Sequence, residues 1–182
     1  MKLLSPKTRD SRPITDRVKE SLFSVLYKYD LPAGAIVADL FCGVGSLGLE
    51  ALSRGAELVT FVEQDPKIAA ILNRNIDKAG FVKESKVVRA NAFKVGAPVG
   101  SDTRDYDLVF VDPPYAATGD AGEGSALSRV MELLGEQVTP GGIVVVRTHH
   151  STLLPERYGQ FETEERRTWG TMTVTIFRNT KR

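Results

Sequence analysis

Cysteine is nearly missing: Cys42 stands alone among 182 residues, which excludes an internal disulfide and a Cys-based zinc site and fits a reducing compartment. Histidine is almost as scarce. The two present, His149 and His150, are adjacent, and no carboxylates stand at ligand spacing beside them, so a solvated loop is expected there and no metal. Cys42 has no histidine at a motif position to activate it and is expected to be a small loop residue, not a nucleophile. No apolar run is long enough to cross a bilayer, and Met1-Lys2-Leu3-Leu4-Ser5-Pro6 lacks the sustained apolar stretch of a signal peptide. A cytoplasmic protein with no membrane partner is expected. Neither sign of charge dominates, with 24 Lys and Arg against 23 Asp and Glu and a net charge of +1. A polyanionic partner would have to be met by a local basic patch rather than by the whole surface.

What is present suits one globular domain over 1–182, with 42% hydrophobic and 26% charged residues. Residues 1–14 form its basic N-terminal segment. Lys2, Lys7, Arg9, Arg12, Arg17 and Lys19 outnumber Asp10, Asp16 and Glu20 at the start of the chain; a solvated terminus and an anion-binding patch both fit this composition. Thr15 suits a helix N-cap with Asp16 in the first turn, and Val18, Leu22, Val25, Leu26 and Tyr29 recur at helical spacing.

Ala35 to Phe41 reads as a first buried strand, and Cys42-Gly43-Val44-Gly45-Ser46-Leu47-Gly48 runs from it into a helix. Gly43, Gly45 and Gly48 fit Gly-x-Gly-x-x-Gly, in which missing side chains let a cofactor approach the backbone and the helix N-terminus. Glu57 to Val62 supplies a second strand, and Glu63 follows, 20 residues after Gly43, where a carboxylate can accept both ribose hydroxyls. A tight turn and a capping acid explain these pieces separately. Strand, glycine loop, helix, strand and acid in register favour a nucleoside site. Asp65-Pro66 opens the next helix, with Ile68, Ile71, Leu72, Ile76 and Ala79 on its inner face. Lys86 to Ala90 is a short third strand; Asn91-Ala92 at its end is placed either to meet an adenine edge or simply to end the strand.

Residues 94 to 106 read as a loop. Asp107 to Val111 then forms a strand buried on both faces, ended by Pro113 and Pro114, which supply no ladder donors. The strand delivers Asp112, the Pro113 carbonyl and Tyr115 to one sheet edge. The exocyclic amine of a nucleobase is a poor nucleophile because its lone pair is delocalised into the ring. Acceptors aimed at its two hydrogens localise that pair, and an aromatic ring can stack on the base. An Asp-capped proline turn is the structural alternative. Ala116 to Gly124 is small and polar and suggests a mobile lid; Leu127, Val130, Met131, Leu133 and Leu134 suit a helix; Ile143 to Thr148 is a fifth buried strand. Phe161 to Arg167 and Met172 to Phe177 form a hairpin around Trp169-Gly170-Thr171.

Three segments, Arg12-Pro13-Ile14-Thr15-Asp16-Arg17-Val18-Lys19-Glu20-Ser21-Leu22-Phe23, Asp39-Leu40-Phe41-Cys42-Gly43-Val44-Gly45-Ser46-Leu47-Gly48-Leu49-Glu50-Ala51 and Asp112-Pro113-Pro114-Tyr115, resemble the RsmD family in that order. These are bacterial methyltransferases that modify the guanine N2 amine in small-subunit ribosomal RNA using S-adenosyl-L-methionine. The Trp169-Gly170-Thr171 hairpin is similar to the family's C-terminal Tyr-Gly-x-Thr segment. The resemblance implies an α/β, Rossmann-like class I methyltransferase with a seven-stranded, mostly parallel sheet in the order 3-2-1-4-5-7-6, helices on both faces and a C-terminal antiparallel hairpin. It implies that Asp39 and the Gly43 to Gly45 loop face the methionine part of the cofactor, Glu63 the ribose and Asn91-Ala92 the adenine. Asp112 to Tyr115 would face the target base, with Arg12, Thr15 and Arg17 near the RNA. The implied partner is ribosomal RNA or a small-subunit assembly particle, met by a monomer. Family members usually carry a longer Gly- and Arg-containing arm ahead of the Lys-Leu-x-x-Pro stretch; with the sequence starting at Met1, a smaller RNA grip is expected.

Other functions share parts of these motifs. Adenine-N6 or DNA methylation fits the tetrapeptide, which recognises an amine and not a particular base. A nicotinamide-dependent oxidoreductase fits Gly43, Gly45, Gly48 and Glu63 but leaves Asp112 to Tyr115 unexplained. A noncatalytic RNA-binding assembly protein would have no need of the tetrapeptide.

Overall fold

The computed structural model describes residues 2–5, 14–100 and 105–182. Helix α1 (Asp16–Leu26) starts where Thr15 Oγ1 accepts the Val18 N–H and buries Val18, Leu22, Phe23, Val25 and Leu26 along one stripe. Strand β1 (Ile36–Leu40) is buried at every residue. The glycine turn leads to α2 (Ser46–Ser53), β2 (Leu58–Val62), α3 (Pro66–Ala79), β3 (Ser85–Val88) and a short α4 (Ala92–Val95). Then come β4 (Tyr106–Val111), α5 (Ala126–Leu134), β5 (Val138–His149), β6 (Arg157–Tyr158), β7 (Phe161–Trp169) and β8 (Met172–Asn179).

These strands form one sheet in the order β3-β2-β1-β4-β5-β8-β7-β6. The expected strand neighbours and the C-terminal hairpin are present, but the sheet has eight strands, not seven. The extra edge strand β6 is two residues long and pairs Arg157 with Glu162 and Tyr158 with Phe161; a strand that short has no periodicity to read. The sheet is also less parallel than expected. Among the described residues, the four pairings from β3 to β5 are parallel, and the three joining β5, β8, β7 and β6 are antiparallel.

Alternation along β1 divides the core. Val37 packs with α1, α2 and α3 through residues such as Phe23, Leu49 and Leu72, whereas Ile36, Ala38 and Leu40 face Leu127, Val130 and Leu134 of α5. The start of the β1–β4 pairing is fixed by Asp107, whose Oδ2 accepts the Ile36 N–H at 2.9 Å. Because β1 has β2 on one side and β4 on the other, the chain leaves the carboxyl ends of β1 and β4 in opposite directions. A crevice opens there.

The segment after Tyr115, expected to be a mobile lid, is anchored at two points. It begins as a 3-10 turn (Tyr115–Ala117), Thr118 is buried with its hydroxyl donating to the Tyr115 carbonyl, and buried Ala121 accepts from the Tyr158 hydroxyl through its carbonyl. Around these two anchors Gly119, Gly122 and Gly124 are exposed, and a Cβ at Gly119 or Gly124 would meet open space.

Gly48 shows how tightly α2 lies on β2. A Cβ built there would come within 2.3 Å of Phe61 Cε1 and 2.9 Å of Val59 Cγ1, both on fully buried residues. Gly48→Ala is expected to destabilise the protein by about 1–3 kcal/mol in spite of alanine's better helix propensity, lowering the melting temperature by roughly 3–10 °C in a calorimetric scan. An unchanged melting temperature would mean that the Phe61 ring yields.

Candidate active site

Register lines up the strand ends. Leu40 pairs with Val62 on one side and Val111 on the other, and Val111 pairs with Val146. The residues that follow, Phe41, Glu63, Asp112 and Arg147, therefore stand in one row at the carboxyl edge. All four line a cleft of about 1020 Å³, together with Asp39, Gly43, Ile68, Ala90, Ala92, Pro113, Pro114, Tyr115, His149 and Thr171.

Asp112 does not stand alone. Its Oδ1 accepts from Arg147 Nε at 2.6 Å, and the two side chains are 19% and 14% exposed. Burial lifts the Asp112 carboxyl above its ordinary range, while the adjacent guanidinium pulls it back down only in part. Arg147 also reaches Met172 Sδ with Nη1 at 3.7 Å and lies 6.0 Å from the Tyr115 ring centre. The Tyr115 ring meets His149 nearly edge-on, with 5.6 Å between centres and 72° between planes.

Asp39 is 1% exposed and accepts the Gly48 N–H at 2.8 Å. Burial, opposed by that hydrogen bond and reinforced by the charge of Asp112, pushes its carboxyl up to about 7. Glu63 ties two loops: Oε2 accepts from Gly43 N at 3.1 Å and Oε1 from Asp65 N at 2.8 Å. The three glycines of the motif differ in purpose. Gly45 (φ +90°) and Gly48 are required by packing, since a Cβ at Gly45 would lie 2.5 Å from Leu72 Cδ1; at Gly43 (φ +55°) the same atom would meet open space. Only Gly43 therefore fits the expectation that a missing side chain opens the backbone to a ligand.

Several expected site residues lie elsewhere. Asn91 is not in the cleft wall; its Oδ1 caps α4 by accepting the Phe93 N–H at 2.9 Å, and its neighbours Ala90 and Ala92 line the cleft instead. Thr15 is occupied as the α1 cap, and Arg17 is exposed on the first turn of α1; neither lines the cleft, although Ile14 does. Arg12 lies outside the described residues. Cys42 lines the cleft but is buried, and burial pushes its thiol well up, away from a reactive thiolate. His149, expected in a solvated loop, is half-buried in the cleft wall with Nδ1 2.6 Å from Ser151 Oγ.

Arg147, His149 and Asn75 were not singled out by the sequence motifs. Asn75, fully buried on α3, donates from Nδ2 to the Val44 carbonyl in the glycine turn and to Leu4, each at 3.0 Å. The available signal for Arg147 is positional: it is the first charge after a buried strand run, as Asp112 is on the neighbouring strand.

A family model described as conserved hypothetical protein 95 matches residues 1–178. The chain belongs to this family, the RsmD type. It is 31% identical over 170 residues to YlbH of Bacillus subtilis, provisionally named as an rRNA methyltransferase, covering 92% of this chain and 88% of that protein. It is 40% identical over 116 residues to ribosomal RNA small subunit methyltransferase D of Escherichia coli, covering 63% of this chain and 54% of that enzyme. Among solved structures, the E. coli protein provisionally described as methyltransferase yhhF superposes with a TM-score of 0.78 at 28% identity, covering 97% of this chain and 91% of that one. An RNA methyltransferase from Salinibacter ruber, in complex with S-adenosyl-L-homocysteine, shares the fold with a TM-score of 0.67 at 16% identity, covering 94% of this chain and 95% of that one.

In this RsmD-type chain the buried Asp39 makes stability depend on pH. With its carboxyl near 7 when folded and near 3.9 when unfolded, the folded state holds a proton that the unfolded state has released, so stability falls as pH rises between about 4 and 7. Asp39→Asn is expected to flatten that decline by an amount on the order of a few kcal/mol across the window. Melting temperatures of both proteins at several pH values check this, and parallel curves would rule it out.

Proposed function

We propose that this protein transfers a methyl group from S-adenosyl-L-methionine to the exocyclic N2 amine of a guanine in small-subunit ribosomal RNA. The observation that carries the reading is the meeting of Asp112, Pro113 and Tyr115 with Gly43 and Glu63 in one cleft. Its volume of about 1020 Å³ is at the upper end of ordinary ligand pockets, which suits a nucleoside cofactor together with an extruded base. The names of the relatives favour ribosomal RNA as the substrate.

The lining fits such a cofactor in three respects. Gly43 leaves open space beside the backbone, Glu63 keeps unused lone pairs for ribose hydroxyls, and Phe41, Ile68, Ala90 and Ala92 offer an apolar slot to an adenine. The charge balance fits too. Among the described residues of the lining, Glu63, Asp65 and Asp112 outnumber Arg147 even while Asp39 keeps its proton, so this wall favours a cationic ligand. When bound, S-adenosyl-L-methionine supplies a methyl group on a positively charged sulfur.

The chain's own residues prepare the nucleophile. Asp112 Oδ2 makes no hydrogen bond among the described residues and, with the Pro113 carbonyl, can accept the two amine hydrogens and localise the nitrogen lone pair. Pro113 and Pro114 hold these acceptors in place by fixing φ. Tyr115, braced by His149, offers its ring to the base. Asp112 is placed to take the proton that the alkylated nitrogen sheds.

Incubation of the protein with cofactor and unmethylated small-subunit RNA or particles, followed by mass spectrometry of nucleosides, is expected to yield N2-methylguanosine. A methylated adenine instead would replace the base, and no product on either substrate would sink the reading. Asp112→Ala should lower the rate about 100-fold or more while S-adenosyl-L-homocysteine affinity by calorimetry stays within about threefold of the wild type, because the loss falls on the acceptor side of the site. Arg17→Glu is expected to weaken RNA binding most at low salt and to reduce the salt slope by about 1. Equal affinities at 50 and 200 mM salt, values chosen from the range where counterion release is steep, would remove Arg17 from the RNA face.

A further inference from the structure

We propose that Arg147 is a positioning residue for the transfer, its guanidinium fixing the Asp112 carboxylate through Oδ1 so that Oδ2 is presented to the target amine, an inference that rests on the amine-methylation reading. The β4–β5 ladder brings the two residues together. Val111 and Val146 are register partners on parallel strands, so the next residues stand side by side and emerge on the same face. The contact is short and mostly sealed from water, at 2.6 Å with 14% and 19% exposure. Arg147 is held beyond Asp112 as well, by Met172 Sδ and by its place near the Tyr115 ring. One cation thus binds the acceptor and stands near the stacking ring assigned to the base.

The electrostatic setting makes this contact necessary. Burial raises the Asp112 carboxyl, and the opposing influence comes from Arg147, by charge and by hydrogen bond. Asp39 from β1, Glu63 just after β2 and Asp65 are acids of the same cleft; Cys42, Tyr115 and His149 are the other titratable groups among the described residues that line it. Without the guanidinium, the acid is left buried with no counter-charge and takes up a proton. A neutral carboxyl is a weaker acceptor and no longer localises the amine lone pair.

The test compares wild type, R147Q, R147K and the double variant D112N/R147Q, each checked for native circular dichroism. Carbon-13 NMR of the ligand-free protein follows the Asp112 carboxyl, and methyl transfer is followed across pH. For R147Q the Asp112 midpoint should rise by about one pH unit or more, kcat at pH 7 should fall about tenfold or more, and the rate should recover as pH rises. KM for the cofactor should stay within about twofold. R147K keeps a charge but loses the planar fork, so its midpoint should return near the wild type with an intermediate kcat. In the D112N background, R147Q should cost little further rate. An unmoved Asp112 midpoint, an unmoved acidic limb of kcat, or a loss confined to KM would overturn the assignment. Should R147Q fail to fold, R147K with wild-type kcat would also overturn it. A wild type inactive on every RNA offered, with R147Q still shifting the midpoint, would sink the methylation reading and leave the Arg147–Asp112 coupling standing.

Discussion

Burying a carboxylate costs free energy unless something compensates its charge, and the carboxyl edge of this sheet buries or half-buries three. Each is compensated differently. Asp112 has a guanidinium, Glu63 has the backbone N–H groups of Gly43 and Asp65, and Asp39 has the Gly48 N–H together with a proton retained to about pH 7. The same contacts shape the site: the ion pair orients the acid beside Pro113, Glu63 pins the glycine turn to the end of β2, and Asp39 pins the start of α2. The charges that define the cleft are thus the fastenings of its walls.

This dual use explains the glycine turn. A Gly-x-Gly-x-x-Gly pattern suggests a backbone cleared for a ligand, yet two of the three glycines are dictated by what lies behind them. Gly45 accommodates Leu72 and Gly48 accommodates Phe61, so the turn and α2 sit close against α3 and β2. Asn75 adds a hydrogen bond to the Val44 carbonyl from the rear. With its back fixed, the turn presents Gly43 to the cleft with little freedom to relax, which is the pre-organisation a binding loop requires.

The sequence made the strands and the main motif positions legible because buried parallel strands and glycine turns leave local signatures, and the family resemblance implied the strand order. Asp39, Gly43, Glu63, Asp112 and Tyr115 do converge on one cleft. What local pattern could not carry was pairing across strands. Arg147 is an ordinary strand-end arginine until register sets it beside Asp112. His149 is an ordinary loop histidine until Tyr115 arrives at its ring. Asn91 differs in the opposite sense: a local role as helix cap engages its Oδ1, and its neighbours Ala90 and Ala92 line the cleft. The anchors of the segment after Tyr115 were illegible for a related reason, since neither Thr118 nor Ala121 signals that it is buried until Tyr158 arrives from β6.

An acidic cleft and a polyanionic substrate pose a contradiction that the geometry resolves. Phosphates are repelled by Glu63, Asp65 and Asp112, and among the described residues of the lining Arg147, already engaged by Asp112, does not reverse that sign. A nucleobase carries no charge, and Tyr115 and His149 give it an aromatic wall. The described lining therefore suits a nucleotide base better than its phosphates, which the proposed reading leaves outside the cleft, to exposed cations such as Arg17. The acids that repel phosphate are the groups that welcome a cationic methyl donor, so one electrostatic arrangement separates the two substrates into their proper places before any base-specific contact is made.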